Sequence, residues 1–486
     1  MGMRLDHIAR EIGGAQIYGD PGTEVSALRY DNRKVTPGEA FFCVTGLEAD
    51  GHDFARGAVE AGAAALVSER RLDLGVPEVV VPDSRAAMAP AAAAFNGNPT
   101  AELKIAGITG TNGKTTTAFL LRDIFEYAGL PTGLMGTVKQ MVGGVEEEVV
   151  RTTPEAVDLQ QTFRRMAEAG DEACVIEVSS HAMTMHRCDA IDFDLAVFTN
   201  LTQDHLDFHE DMEDYFAAKR LLFEAGPGAS VVNIDDRYGQ RLAADFDVFT
   251  YSAEGGAADF SATELRFDAS GADFLVESEH GDLVVHTGLP GRFNVANALA
   301  ALAGAVTLGV DPDEAVAALA EAGRVPGRFE AIDEGQDFAV LVDYAHTPDS
   351  VENALRAARD LTEGRLIAIV GAGGDRDRAK RPLMGRAGAQ LADLTIVTSD
   401  NPRSEDPAEI IDDVLEGITD REGVEVEPDR SAAIGRAVDV AAPGDTLVIA
   451  GKGHEQGQEF ENGRKIPFDD REVARTHLRR RGGEQN

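Results

Sequence analysis

The segment LKIAGITGTNGKTTT, residues 103–117, constrains this chain of 486 residues more than any other. LKIAGIT reads as a buried strand, and TTAFLLRDIFEYAG, residues 116–129, carries the apolar spacing of a helix. Between them stand Gly107, Gly110 and Gly113, followed by Lys114, Thr115 and Thr116. Strand, glycine-rich turn and helix make the setting in which backbone N–H groups and a helix N-terminus converge on phosphate oxygens. The residues therefore predict a nucleotide site built from Gly110, Thr111, Asn112, Gly113, Lys114, Thr115 and Thr116. Lys114 would set its charge on the β- and γ-phosphates, and the Thr115 hydroxyl would ligate Mg²⁺. One detail departs from the usual phosphate-loop spacing: Ile108 stands where that pattern has its first glycine.

Composition narrows the partners. Forty-five basic against eighty-five acidic residues leave a net charge of −40, a field that repels phosphodiester backbones and argues against nucleic acid. Only eight of the basic residues are lysines, and an acidic, lysine-poor surface suits solubility at high salt. Cys43, Cys174 and Cys188 lie far apart without metal-ligand spacing, as expected in a reducing compartment. The opening MGMRLDHIAREIGG lacks the apolar core of a signal peptide, and no apolar run reaches the ~18 residues of a membrane span. A cytoplasmic protein is the expectation.

Short apolar runs recur along the chain with helical stretches between them. They include Ala40–Val44, Ala65–Val67, Val79–Val81, Ala173–Val178, Leu195–Thr199 and Ser230–Ile234. The series continues with Ala339–Val342, Leu366–Val370, Leu394–Val397 and Thr446–Ile449. This alternation predicts an α/β protein with mostly parallel sheets. Breaker-rich segments at FNGNPT, residues 95–100, and VPGRF, residues 325–329, suggest three domains over 1–100, 101–325 and 326–486. Residues 255–290 alternate as a small β excursion.

Further motifs follow the phosphate loop in order. They are TTP (152–154), EVSSHAMTMHR (177–187), TNLTQDHLDFH (199–209), YFAAKRLLF (215–223) and LPGRFNVANALAA (289–301). VPGRFE, DYAHTPDS, GAGGDRDRAKRPLMG, SDNPR and AGKGHE complete the set. With GITGTNGKTTT they resemble the Mur ligase superfamily, the ATP-dependent amide-bond ligases of peptidoglycan assembly and their folylpolyglutamate synthetase relatives. The resemblance covers the whole chain. It implies three domains: an N-terminal one for a UDP-linked substrate, a central P-loop ATPase-like parallel sheet, and a C-terminal Rossmann-like domain that closes over ATP.

The same resemblance implies roles that the residues alone leave open. Glu177, His205 and a carbamylated Lys219 would join Thr115 around Mg²⁺; read alone, they are a loop carboxylate, a surface histidine and a solvated helix lysine before they are ligands. Asn294, Arg328 and Asp343 would answer the nucleotide, although each also fits a cap or turn. Asn32, Thr152, Thr153, Ser179 and Arg187 would contact UDP-MurNAc-L-Ala-D-Glu, with Asn32 standing where the family usually has serine. Asp400, Asn401, Pro402 and Arg403 resemble the signature of members that add meso-diaminopimelate, with Arg376, Gly451 and Glu455 completing the pocket. An arginine fork there would bind the acceptor's distal carboxylate and repel the ammonium of lysine. A monomer is expected. The alternatives are a family ligase with another acceptor, or a nucleotide-binding regulator without catalysis.

Overall fold

The computed structural model describes residues 2–46, 49–149, 151–268 and 271–484. Contacts divide the chain into two compact units, one of residues 1–109, 129–196 and 218–229, the other of 110–128, 197–217 and 230–486.

The first unit opens with a five-stranded sheet in the order Gln16–Tyr18, Glu78–Val80, Ala65–Ser68, Ala40–Phe42, Leu28–Arg29. Its inner pairings are parallel, and only the edge strand Gln16–Tyr18 runs antiparallel. Phe42, Val67 and Val79 pack against Leu5 and Ile8 of the first helix and Met88 of the helix Ser84–Phe95. That second helix starts on Asp83, whose carboxylate accepts from the N–H groups of Arg85 and Ala86. The same unit holds three parallel strands, Thr132–Met135, Ala173–Glu177 and Lys104–Thr109. A hairpin, Gln140–Val142 and Val145–Glu147, extends them through the Gly143–Gly144 turn, where both residues have positive φ.

The departure at the phosphate loop has its explanation here. Gly107 lies inside the strand Lys104–Thr109, and a Cβ there would stand 2.7 Å from the Phe193 ring and 3.3 Å from Leu222. It is a packing glycine, and the turn glycines are Gly110 and Gly113.

In the second unit, the strands Ala229–Asn233, Phe249–Ser252 and Phe260–Asp268 pair in parallel, the first of them beginning in the other unit. Gly271–Ser278 and Leu283–Thr287 then add antiparallel strands, in the region where the sequence predicts a β excursion. A six-stranded sheet follows in the order Glu330–Ala331, Ala339–Asp343, Thr446–Ala450, Leu366–Val370, Leu394–Val397, Val424–Val426. Every pairing beyond its first strand is parallel. Leu366, Ala368 and Val370 enter one buried cluster while Ile367 and Ile369 enter another, so both faces of the strand are covered. Asp343, Gly451 and the segment Asp400–Arg403 lie at or just beyond the carboxyl ends of these strands, where open α/β sheets place ligands. Among the described residues no helix is long and apolar enough to cross a membrane.

Gly107→Ala should therefore lower stability by about 1–3 kcal/mol through overpacking against Phe193. Denaturant unfolding checks this, and a wild-type midpoint would contradict the packing role.

Candidate functional site

The phosphate loop is held by a second stretch of the same unit, Thr199–Thr202. Gly110 has φ +149°, and a Cβ on it would meet Thr199 Oγ1 at 1.8 Å. The Thr111 N–H donates to Asn200 O at 2.8 Å, and the Asn112 N–H to Asn200 Oδ1 at 2.9 Å. Thr199 Oγ1 returns a bond to Asn112 O at 2.6 Å. Gly113, at φ +86°, opens the helix Lys114–Tyr127 without a side-chain cap, and a Cβ there would meet Asn297 Oδ1 at 2.3 Å. A helix end of this kind suits an anion. Lys114 arches back over the turn, its Nζ donating to Gly110 O at 2.8 Å and Thr111 O at 2.9 Å. Thr116 is buried in the first turn. The space that both glycines leave is taken by Thr199 Oγ1 and Asn297 Oδ1, which hold the turn in the shape a polyphosphate cradle requires.

A chain of contacts runs from this loop to the acceptor motif. Arg328 Nη2 donates to Thr115 Oγ1 at 2.9 Å, its guanidinium lies 4.5 Å from the Tyr344 ring centroid, and its Nε is buried without a partner. That unspent donor fits an anionic ligand. The next residue, Phe329, has φ +50° and donates its N–H to Asp343 Oδ2 at 2.7 Å. Burial pushes the Asp343 carboxyl up to about 6, against the opposing pull of Arg328. The Gly451 N–H reaches Asp343 O at 3.1 Å, and a Cβ on Gly451, φ +124°, would stand 2.4 Å from Asp400 Oδ2.

Asp400, Asn401 and Pro402 are buried. Burial raises the Asp400 carboxyl, but Lys452 and Arg430 outweigh it and hold the group below the ordinary carboxylate value. Asn401 Nδ2 donates to Glu455 Oε2 at 2.8 Å. Arg403 adopts φ +52°, sparsely used by arginine, and its guanidinium is fixed by Gly374 O at 2.7 Å and Glu459 Oε2 at 3.1 Å. Arg376 is exposed and turns to Asp375 O at 2.8 Å. The sequence reading thus names seven acceptor residues, of which Asp400, Asn401, Arg403, Gly451 and Glu455 make up one hydrogen-bonded and charge-paired neighbourhood.

His205 and Asn294 belong to the same unit. His205, at φ +56°, has Nε2 3.4 Å from Asp204 Oδ2. Asp204 is buried between it, His346 at 3.7 Å and Lys380 at 3.2 Å. Burial opposes the charge on Asp204, yet His205, a hydrogen bond with His346 and the Lys380 ammonium hold its carboxyl well below the ordinary value. Asn294 is buried, its amide donating to Pro290 O at 2.9 Å and accepting from Asn297 at 3.2 Å.

The remaining predicted residues lie in the first unit. Glu177 ends its strand and accepts from the Thr137 N–H at 2.8 Å and hydroxyl at 2.9 Å. Thr137 also meets Thr152 Oγ1 at 3.1 Å. Thr153 Oγ1 donates to Glu177 O at 2.8 Å and meets Ser179 Oγ at 3.3 Å, and Ser179 caps the helix Ser180–Thr184. Arg187 donates to Thr153 O at 2.9 Å and pairs with Glu155 at 2.8 Å, while its Nε is buried without a partner. Thr152, Thr153, Ser179 and Arg187 are therefore brought together with Glu177. Asn32 sits apart from them in the bonding pattern, in the short 3-10 turn Asn32–Lys34, and Lys219 is buried in the helix Met212–Glu224.

Sequence reasoning passes over Thr137, Asn200, Asn297, Arg430 and Lys452. Asn200, Asn297 and Lys452 stand within quoted motifs, and the scarcity of lysine was a signal for the last. The contacts of Arg430 leave no local trace in the sequence.

Three family models match the chain: one described as "Mur ligase family, catalytic domain" over residues 24–99, "Mur ligase middle domain" over 108–305, and "Mur ligase, glutamate ligase domain" over 327–453. A protein of Geobacillus thermodenitrificans named UDP-N-acetylmuramoyl-L-alanyl-D-glutamate--2,6-diaminopimelate ligase is 46% identical, with 99% of this chain and 100% of the relative aligned. A Streptomyces coelicolor protein of the same name is 46% identical over 99% of this chain and 97% of its own. A solved structure of a ligase so named superposes with a TM-score of 0.69 at 32% identity, covering 99% of this chain and 100% of that one. The MurF ligase of Thermotoga maritima in complex with ADP shares the fold, with a TM-score of 0.69 at 19% identity over 95% of this chain and 99% of that one.

The Asp343 environment sets a pH dependence. Its folded value lies above the ordinary 3.8, so its contribution to stability is full below 3.8 and is lost as pH rises through about 6. Unfolding curves of wild type and Asp343→Asn should diverge across that window, wild type losing on the order of 2–3 kcal/mol relative to the variant. Parallel curves from pH ~4 to ~7 would contradict it.

Proposed function

Because the chain belongs to the Mur ligase family, we propose that it joins meso-diaminopimelate to the D-glutamate γ-carboxylate of UDP-MurNAc-L-Ala-D-Glu at the expense of ATP. The observation that carries this reading is the continuous path Thr115, Arg328, Phe329, Asp343, Gly451, Asp400, which ties the phosphate loop to the acceptor motif within one compact unit.

A carboxylate does not acylate an amine in water unaided. The γ-phosphoryl group passes from ATP to the carboxylate, releasing ADP and giving an acyl phosphate; the amine then attacks the acyl carbon, loses a proton, and inorganic phosphate leaves. The chain's residues have the remaining work. Lys114 and the uncapped helix end answer the phosphate charge, and Arg328 offers its unspent Nε. Arg187, with a buried donor of its own, answers the anionic peptide precursor together with Thr152, Thr153 and Ser179, and Asn32 keeps its proposed uridine-side role. Arg403 receives the acceptor's distal carboxylate and Glu455 its ammonium. Thr115 and Glu177 offer hard oxygen donors and keep the Mg²⁺-ligand roles that the resemblance implies; the metal would neutralise phosphoryl charge. His205 and Lys219, the latter as a carbamate, keep the ligand roles that the resemblance implies. Asn294 and Asp343 keep theirs toward the nucleotide.

Domain boundaries at 1–100, 101–325 and 326–486 belong to this proposal, and the three matched segments fall one within each. A cytoplasmic monomer belongs to it as well, since nucleotide-linked precursor and ATP meet there.

Phosphate release from ATP with UDP-MurNAc-L-Ala-D-Glu tests the reaction and the acceptor together. Release is expected with meso-diaminopimelate and at background with L-lysine or no amino acid; equal release with lysine would overturn the acceptor. Arg403→Ala should cut kcat/KM for diaminopimelate roughly 10–100-fold, the worth of charge-assisted bonds to a carboxylate. Unchanged selectivity would remove Arg403 from that role.

A further inference from the structure

We propose that Lys452 is a positioning residue for acceptor choice: its buried ammonium fixes Asn401 and Glu455 in the one arrangement that receives a zwitterionic side-chain end. The inference rests on the acceptor reading above, and it concerns a residue to which that reading gives no part.

The Lys452 side chain is wholly buried. An ammonium out of water survives only among acceptors, and here they are Asn401 Oδ1 at 2.7 Å, Glu455 Oε2 at 2.9 Å and Asp400 Oδ1 at 3.9 Å. Asn401 Oδ1 also accepts from the Glu459 N–H at 2.9 Å. With two donors on its oxygen, the Asn401 amide has one orientation, and its Nδ2 must face Glu455 Oε2, 2.8 Å away. Lys452 and Asn401 therefore both bind Oε2 of Glu455. The carboxylate is pinned by one oxygen, while its side chain stays 28% exposed.

The charges around Lys452 do not balance. Asp400, Glu455 and Asp470 face Lys452 and Arg430, and Arg430 binds Asp470 through two bonds of 2.8 and 2.7 Å. Three carboxylates against two cations leave one negative charge, which an incoming ammonium neutralises. Arg403, beside them and paired with Glu459, answers the carboxylate of the same acceptor. Without Lys452 the surplus becomes two negative charges, Asn401 is released to flip, and Glu455 loses its anchor. A pocket so altered favours a cationic side chain over a zwitterionic one.

Lys452→Met should raise the KM for meso-diaminopimelate about tenfold or more, while the KM values for ATP and the UDP-linked peptide stay within about twofold. Relative use of L-lysine should rise. An unchanged acceptor KM, or an equal rise for all three substrates, would overturn the inference. Should Lys452→Met not fold, the double variant Lys452→Met/Glu455→Gln removes one charge of each sign. It should exceed Glu455→Gln alone in acceptor KM, because Asn401 is then released as well, and an equal KM would also overturn the inference. Wild type runs alongside. If it ignores diaminopimelate, the acceptor reading falls and this inference with it. If it uses diaminopimelate while Lys452→Met retains its KM, the inference alone falls.

Discussion

The close approach of Gly110 to Thr199 and Asn200 is the contact on which the rest of the second unit's chemistry depends. Any side chain at 110 would occupy the position of Thr199 Oγ1. Because it is absent, Asn200 can take the Thr111 and Asn112 N–H groups and set the curvature of the turn. Curvature in turn decides where Lys114 and the helix end point. Outward from the loop, Asn112 Nδ2 reaches Asp349 at 2.8 Å in the first turn of the helix Pro348–Asp360, and Thr115 reaches Arg328. Two side chains of one loop are thus bonded to the segment that carries Asp343. The loop's geometry and that of the Asp343 segment are linked by a few bonds.

Charge is distributed in the same economical manner. The chain carries a net −40 and only eight lysines, yet Lys219, Lys380 and Lys452 are all buried. A surface this poor in lysine beside three buried lysines points to different constraints on the two. Exposed ion pairs contribute little, whereas a buried cation among carboxylates must be matched group by group. Lys380 against Asp204, Lys452 against Glu455 and Arg430 against Asp470 show that matching. All three pairs stand beside loops that carry site residues, so the cost of burying them secures the positions of those loops.

Much of this was legible in the sequence because it is local. Runs such as Leu366–Val370 and residues 447–450 are apolar at every position, and a strand covered on both faces leaves no other pattern. The phosphate loop was legible because glycines, lysine and threonines follow one another along the chain. The hairpin at Gln140–Glu147 went unread although its Gly143–Gly144 turn is a hairpin signal, since its strands are three residues each and too short to show an apolar alternation. The role of Gly107 could not be read, because Phe193 and Leu222 come from distant segments. Asn401 was read as an acceptor contact, but its fixed orientation depends on Lys452 and the Glu459 N–H, more than fifty residues away. Motif strings identify such residues without saying which of them hold the others in place.

The central claim is that the cradle exists because Gly110 leaves room for Thr199 and Asn200. Calorimetric titration of ATP into wild type and Gly110→Ala tests it most directly, with circular dichroism to establish that both are folded. The account predicts that the folded variant loses ATP affinity by about 100-fold or more, the worth of several misplaced phosphate contacts. Wild-type affinity in a folded Gly110→Ala would contradict it.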